Sequence, residues 1–215
     1  MRFAIHAGTL FTTLKKAGLF TDKDVDNYYH LDHIAFRKGD KDTIIIEAMC
    51  PHYLYRNVVE VKGLEAVDKE VCAINPAVLV GLLKAAPRIA NGLADVIFAK
   101  DLCTVSYNGA THTFPAEHTD WPETDAFFRR FEYAEMQDKR MEQDHKDNEA
   151  GVGIIRRQSL WINPKMMILV EKVWKDTTVQ MLVHPERQMF RFASHEADDR
   201  QAVIMMGCKE KIYDE

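Results

Sequence analysis

The sequence predicts an α+β fold with helices on one face of antiparallel sheets. Three observations predict it. A block opening Ile-Asn-Pro and running into an apolar helical pattern that carries a Lys occurs twice, at 74–86 and at 162–174. A weaker copy occupies 5–17, with Lys15 and Lys16 on its helix, and strand-like runs follow the two stronger copies at Val96–Phe98 and Val179–Val183. Asn108-Gly109 between two alternating runs is the strongest short-range hairpin signal. Repetition of this kind marks a structural unit used more than once, and hairpins between neighbouring strands make the sheets antiparallel.

Each element has a local reason. Arg2 to His6 alternates as a short strand, and Leu10, Phe11, Leu14 and Ala17 have helix spacing over 9–19, weakened at Gly18. Thr21 to Asn27 is polar and loop-like. Leu31 to Arg37 and Thr43 to Cys50 read as paired strands around the turn Lys38-Gly39-Asp40-Lys41-Asp42. Pro51 interrupts, and Leu54 to Lys62 alternates again. Val71 to Ile74 is a strand entering a helix, with Asn75 as N-cap and Pro76 at the first helical position. Pro87 stops that helix. Asp95–Ala99, Leu102–Tyr107 and Ala110–Phe114 complete a second run of strand, helix and three strands.

Residues 1–123 therefore read as one domain of two half-units. From Thr124 to Glu149 the chain is rich in charge, with Phe127, Phe131, Ala134 and Met141 at helical spacing, and reads as a long, mostly exposed helix within a connector, 124–157. Gly151-Val152-Gly153 ends it. Residues 158–215 read as a second, partial domain: a helix from Asn163, strands to Val183, Gln188–Ala193 and Ala202–Cys208, and a polar tail.

Composition bounds the function. With 47% hydrophobic and 28% charged residues the chain is ordinary for a soluble globular protein. A net charge of -5 argues against coating nucleic acid with the whole surface, but leaves room for a local basic face. Cys50, Cys72, Cys103 and Cys208 form no Cys-x-x-Cys pair, which points away from a disulfide framework or zinc module and toward a reducing, cytoplasmic setting. Lys15 and Lys16 break the only early apolar run, so neither a leader peptide nor a membrane partner is expected. No P-loop, dinucleotide fingerprint or Gly-x-Ser-x-Gly occurs.

In order and spacing, three stretches resemble the DNA sliding clamp family, in particular the bacterial DNA polymerase III beta subunit. They are Met1–Ile5 with Leu10 and Leu14; Ile74–Ala86 with Val96–Phe98, Thr113–Glu117 and Asp120-Trp121-Pro122; and Asn163–Val173 with Val179–Val183, His184-Pro185, Phe190–Ala193 and Ala202–Met206. The resemblance implies a non-enzymatic processivity factor without cofactor or metal. It would encircle double-stranded DNA as a homo-oligomeric ring, tether a DNA polymerase, and be placed by a clamp loader. Known clamps close as rings of six domains, so a shortened subunit would need three or four copies. Where the family ends Met-Pro-Met, this chain has Met205-Met206-Gly207.

A ring around DNA needs helices that offer cations to phosphates, a contact independent of sequence and weakened by salt. The helix units carry Lys15 and Lys16, then Lys84 and Arg88, then Lys165, Lys172 and Lys175, with Glu171 as the acidic exception. On the second helix Val78, Leu79, Leu82 and Leu83 form the apolar face. The same lysines would equally suit a solvated helix face. The resemblance also implies an apolar pocket for partner peptides lined by Val203, Met205 and Met206, where methionine suits several ligands; plain strand-core positions are the alternative. Two other functions stay open: a clamp-fold adaptor or decoy that binds clamp partners without encircling DNA, and a metal-dependent enzyme using His30, His33, Cys50 and His52.

Overall fold

In a computed structural model, which describes residues 1–22, 31–86, 91–129, 164–175, 179–184, 189–194 and 200–206, strands form where the apolar alternation is cleanest. Strand β1 (Arg2–His6) turns Phe3 and Ile5 inward, and helix α1 (Ala7–Ala17) follows without a break, burying Leu10, Phe11 and Leu14. Strands β2 (Ile34–Lys38), β3 (Thr43–Cys50) and β4 (Tyr53–Glu60) form an antiparallel meander. The expected strand from Leu31 begins three residues later, because residues 31–33 turn first; there the Asp22 N–H donates to the Leu31 carbonyl at 2.8 Å.

The run read as one strand over 54–62 divides into β4 and β5 (Lys62–Glu65). Val61 is the pivot. It is buried, and its N–H donates to the Asp42 carbonyl at 2.9 Å, outside either ladder. Beyond it β6 (Val71–Ile74) leads into a 3-10 turn (Pro76–Leu79) and helix α2 (Val80–Ala85). Asn75 caps as expected, its side-chain oxygen accepting from Ala77 N–H at 2.9 Å and its amide donating to Asp32. Ala86 is already extended, as a residue before proline should be. Strands β7 (Leu93–Ala99), β8 (Leu102–Tyr107), β9 (Ala110–Pro115) and β10 (Glu117–His118) follow. At the β8–β9 turn Asn108 and Gly109 both take positive φ, 50° and 77°, as a primed hairpin turn requires.

Each run supplies a strand to the other run's sheet. Among the described residues one sheet has the order β5-β1-β7-β8-β9, so β1 joins the later meander. In the other, β10-β6-β2-β3-β4, β6 joins the earlier one. The core fills the space between them. Phe36 of β2 meets Phe98 of β7 with ring centroids 5.1 Å apart. Helix α1 reaches both sheets, through Phe11 against Tyr107 of β8 at 5.5 Å and through Thr13, whose hydroxyl accepts from Asn57 of β4 at 2.8 Å.

The chain divides into two compact units, Met1–Pro122 and Glu123–Glu215. In the second, the described residues form helices α3 (Asp125–Arg129) and α4 (Pro164–Val173) and strands β11 (Val179–His184), β12 (Met189–Ser194) and β13 (Gln201–Met206), paired as an antiparallel meander. Most of the long helix expected over 124–149, and the tail from 207, lie outside the described residues. Val170, Val173 and Trp174 are buried with Phe190, Phe192 and Val203.

Candidate nucleic-acid interface

Four of the seven expected DNA-binding cations share a local position. Lys15 and Lys16 stand in the last turn of α1, Lys84 in the last turn of α2 and Lys172 in the last turn of α4. None of these helices has an acidic residue in its first turn. A cation in the last turn offsets the helix dipole, typically by about 0.3–1 kcal/mol. The same placement leaves helices that are net basic on a chain that is net acidic. Lys15, Lys84, Lys172 and Lys175 are exposed, whereas Lys16 is half-buried and burial holds its amine below the usual lysine range. Arg88 and the side chain of Lys165 lie outside the described residues.

Within the first unit the cations are spread rather than clustered. The end of α1 abuts the start of the second helical segment, where a methyl group on Gly18 would lie 3.6 Å from Pro76 Cβ. Lys84 sits two turns further on, about 12 Å along the axis at 1.5 Å per residue. On that segment Leu79 and Leu82 are buried and Val78 and Leu83 half-buried, so the expected apolar face is the one that packs.

The three residues expected to line a peptide pocket separate. Val203 and Met205 have no exposed surface; they are core side chains of β13, in register with Phe192 and Phe190 of β12. Met206 is 41% exposed. Among the described residues, those considered as metal ligands form no group either. His33 Nδ1 lies 2.7 Å from Asp32 Oδ1, Cys50 and His52 flank Pro51 between β3 and β4, and His30 is outside the described residues. Among the described residues a different trio converges, Glu70, Cys72 and His118. Burial, with the Glu70 carboxylate alongside, pushes the Cys72 thiol up to about 12. Glu70-Val71-Cys72 places two donors on one side of a strand, but His118 joins them only through the pairing of β10 with β6.

Solved structures resolve what this arrangement is. The chain matches the DNA polymerase sliding clamp of Bacillus subtilis with a TM-score of 0.75 at 10% identity, over 98% of this chain and 65% of that one. The fold is that of the DNA sliding clamp. Similar matches are the DNA polymerase III beta subunit of Borrelia burgdorferi, at TM-score 0.73, 9% identity and 98% and 65% coverage, and that of Pseudomonas aeruginosa, at 0.64, 12% and 100% and 66%. The clamp resemblance read from the three stretches in their order and spacing is therefore borne out at the level of the fold, as is the α+β class. This chain spans 65% of the length of the first clamp subunits it matches. No protein-family model and no curated protein matches the sequence. Among the described residues no helix is long and apolar enough to cross a membrane.

Proposed function

We propose that this chain is a DNA polymerase processivity factor, a non-enzymatic clamp that closes as a homo-oligomeric ring around duplex DNA. The observation that carries the reading is a clamp fold over 98% of the chain together with cations at the ends of its helices. In this reading Lys15, Lys16, Lys84, Arg88, Lys165, Lys172 and Lys175 face phosphates, which requires no base readout. A polymerase and a clamp loader are its partners, and the exposed Met206 at the end of β13 belongs to the surface they dock on. Three or four copies make the ring, and the setting is cytoplasmic.

The net charge of -5 favours one second reading, an adaptor or decoy of clamp fold that binds clamp partners without encircling DNA. Retention on circular DNA separates the two. A ring loaded on nicked plasmid stays bound in high salt and is lost once the plasmid is linearised, and light scattering gives three or four times the chain mass. Equal retention on both forms, or a monomer at all concentrations, overturns the ring and leaves the adaptor.

A further inference from the structure

Glu70, Cys72 and His118 are brought together by sheet register. Glu70 immediately precedes β6, Cys72 is its second residue, and residues two apart on extended chain share a side. His118 on β10 is the direct cross-strand partner of Cys72. The three donor atoms form a nearly equilateral triangle: Glu70 Oε1 to Cys72 Sγ is 3.7 Å, Cys72 Sγ to His118 Nδ1 is 3.8 Å, and His118 Nδ1 to Glu70 Oε1 is 3.8 Å.

We propose that Glu70 Oε1, Cys72 Sγ and His118 Nδ1 form a zinc site that fastens β10 to β6. A point equidistant from the three atoms lies about 2.2 Å from each, against zinc bond lengths of about 2.0–2.3 Å to carboxylate oxygen, imidazole nitrogen and thiolate sulfur. The mixed sulfur, nitrogen and oxygen set suits zinc rather than magnesium or calcium, which prefer all-oxygen shells.

The surrounding groups orient the donors. His118 Nε2 lies 3.1 Å from the Lys100 carbonyl, which can only accept, so Nε2 carries a proton and Nδ1 is the ring nitrogen that faces the triangle. Glu70 Oε2 accepts from Val67 N–H at 3.2 Å, while Oε1 accepts from the Met1 ammonium at 3.3 Å and faces Cys72 and His118 with its second lone pair. Cys72 is buried, while the His118 side chain is 47% exposed, so water can reach the metal and complete four-coordination. As the sulfur–zinc bond forms, the thiol proton leaves to solvent. The β10 strand is only two residues long, and a metal bridge would hold it where its two-residue ladder is weakest. The proposal stands apart from the clamp reading and does not depend on DNA binding.

Chelator-stripped full-length protein titrated with zinc against a chromophoric competitor should take up one equivalent, and zinc should raise its melting temperature. Cobalt in place of zinc should give a thiolate charge-transfer band. His118→Ala, on the exposed edge, should weaken zinc binding about tenfold or more and abolish the melting shift. Cys72→Ser should remove the cobalt band. Because Cys72→Ser is a buried change that can unfold the chain, the deciding readouts are the parent's own zinc and cobalt titrations and the His118→Ala variant. If it binds zinc as tightly as the parent, or if the parent takes up no zinc or shows no thiolate band with cobalt, the site does not exist.

Discussion

Glu47 has no exposed side-chain surface, yet it carries a charge at the centre of a sheet. It faces Arg56 directly across the β3–β4 ladder and bonds its Nε, while Arg37 of β2 reaches the same carboxylate at 3.3 Å and Trp121 Nε1 donates to it at 3.1 Å. Removing one partner from such a group leaves the others desolvated and unpaired. Glu47→Ala should lower unfolding free energy by roughly 3–5 kcal/mol, whereas Trp121→Phe, which removes one donor, should cost about 1 kcal/mol; urea denaturation measures both. Cys103 gives a pH test. Burial pushes its thiol up to about 12, from an ordinary value near 9. The unfolded chain therefore loses this proton at lower pH than the folded one. Stability from this group is complete below about pH 9 and declines as pH rises toward 12, by up to about 1.3 kcal/mol per pH unit. Cys103→Ala should flatten that alkaline decline in chemical denaturation series, whatever its packing cost at neutral pH.

Among elements, turns and caps follow their local chemistry, and two glycines separate what a turn needs from what it tolerates. Gly109 holds φ 77° in the β8–β9 turn. Gly18 ends α1 in ordinary right-handed geometry, φ -61° and ψ -11°, and an added methyl group would meet its neighbours at 3.4 Å or more. Gly109→Ala should therefore destabilise by about 1–2 kcal/mol. Gly18→Ala should be neutral or stabilise by about 0.4–1 kcal/mol through the unfolded chain. Opposite shifts in melting temperature check the pair. The repeated helix units also differ in their entries: the Ile-Asn-Pro copy at 74–86 opens as a 3-10 turn before α2, capped by Asn75, whereas α1, which lacks Asn-Pro, enters straight from β1 with no side-chain cap.

For the whole molecule, a clamp fold at 9–12% identity means that the pattern of burial, not particular residues, specifies the architecture. The cations are then the part of the sequence free to serve a function, and they are testable separately from the fold. Lys84→Ala and Lys172→Ala change exposed positions and should lower stability by no more than the helix-dipole term, about 0.3–1 kcal/mol. In DNA-binding titrations over a salt series each should weaken affinity and make the slope of log K against log salt shallower by about 1. Unchanged slopes would assign these lysines to the helix dipole alone.

The sequence by itself determined the approximate place of most strands, the helical run of α1, the Asn75 cap, the Asn108-Gly109 hairpin, the repeated unit and the clamp resemblance. All of these rest on neighbours in the chain, through side-chain alternation, helical spacing, capping and turn geometry. Tertiary structure decided what depends on distant pairing. It sent β1 and β6 each into the other run's sheet and split 54–62 at Val61 into strands of two sheets. Of Val203, Met205 and Met206 it left only Met206 at the surface. It gathered Arg37, Arg56 and Trp121 on Glu47, and His118 on Glu70 and Cys72. Alternation shows that a residue has a buried side but not which strand covers it, because that is settled by long-range packing rather than by local conformation.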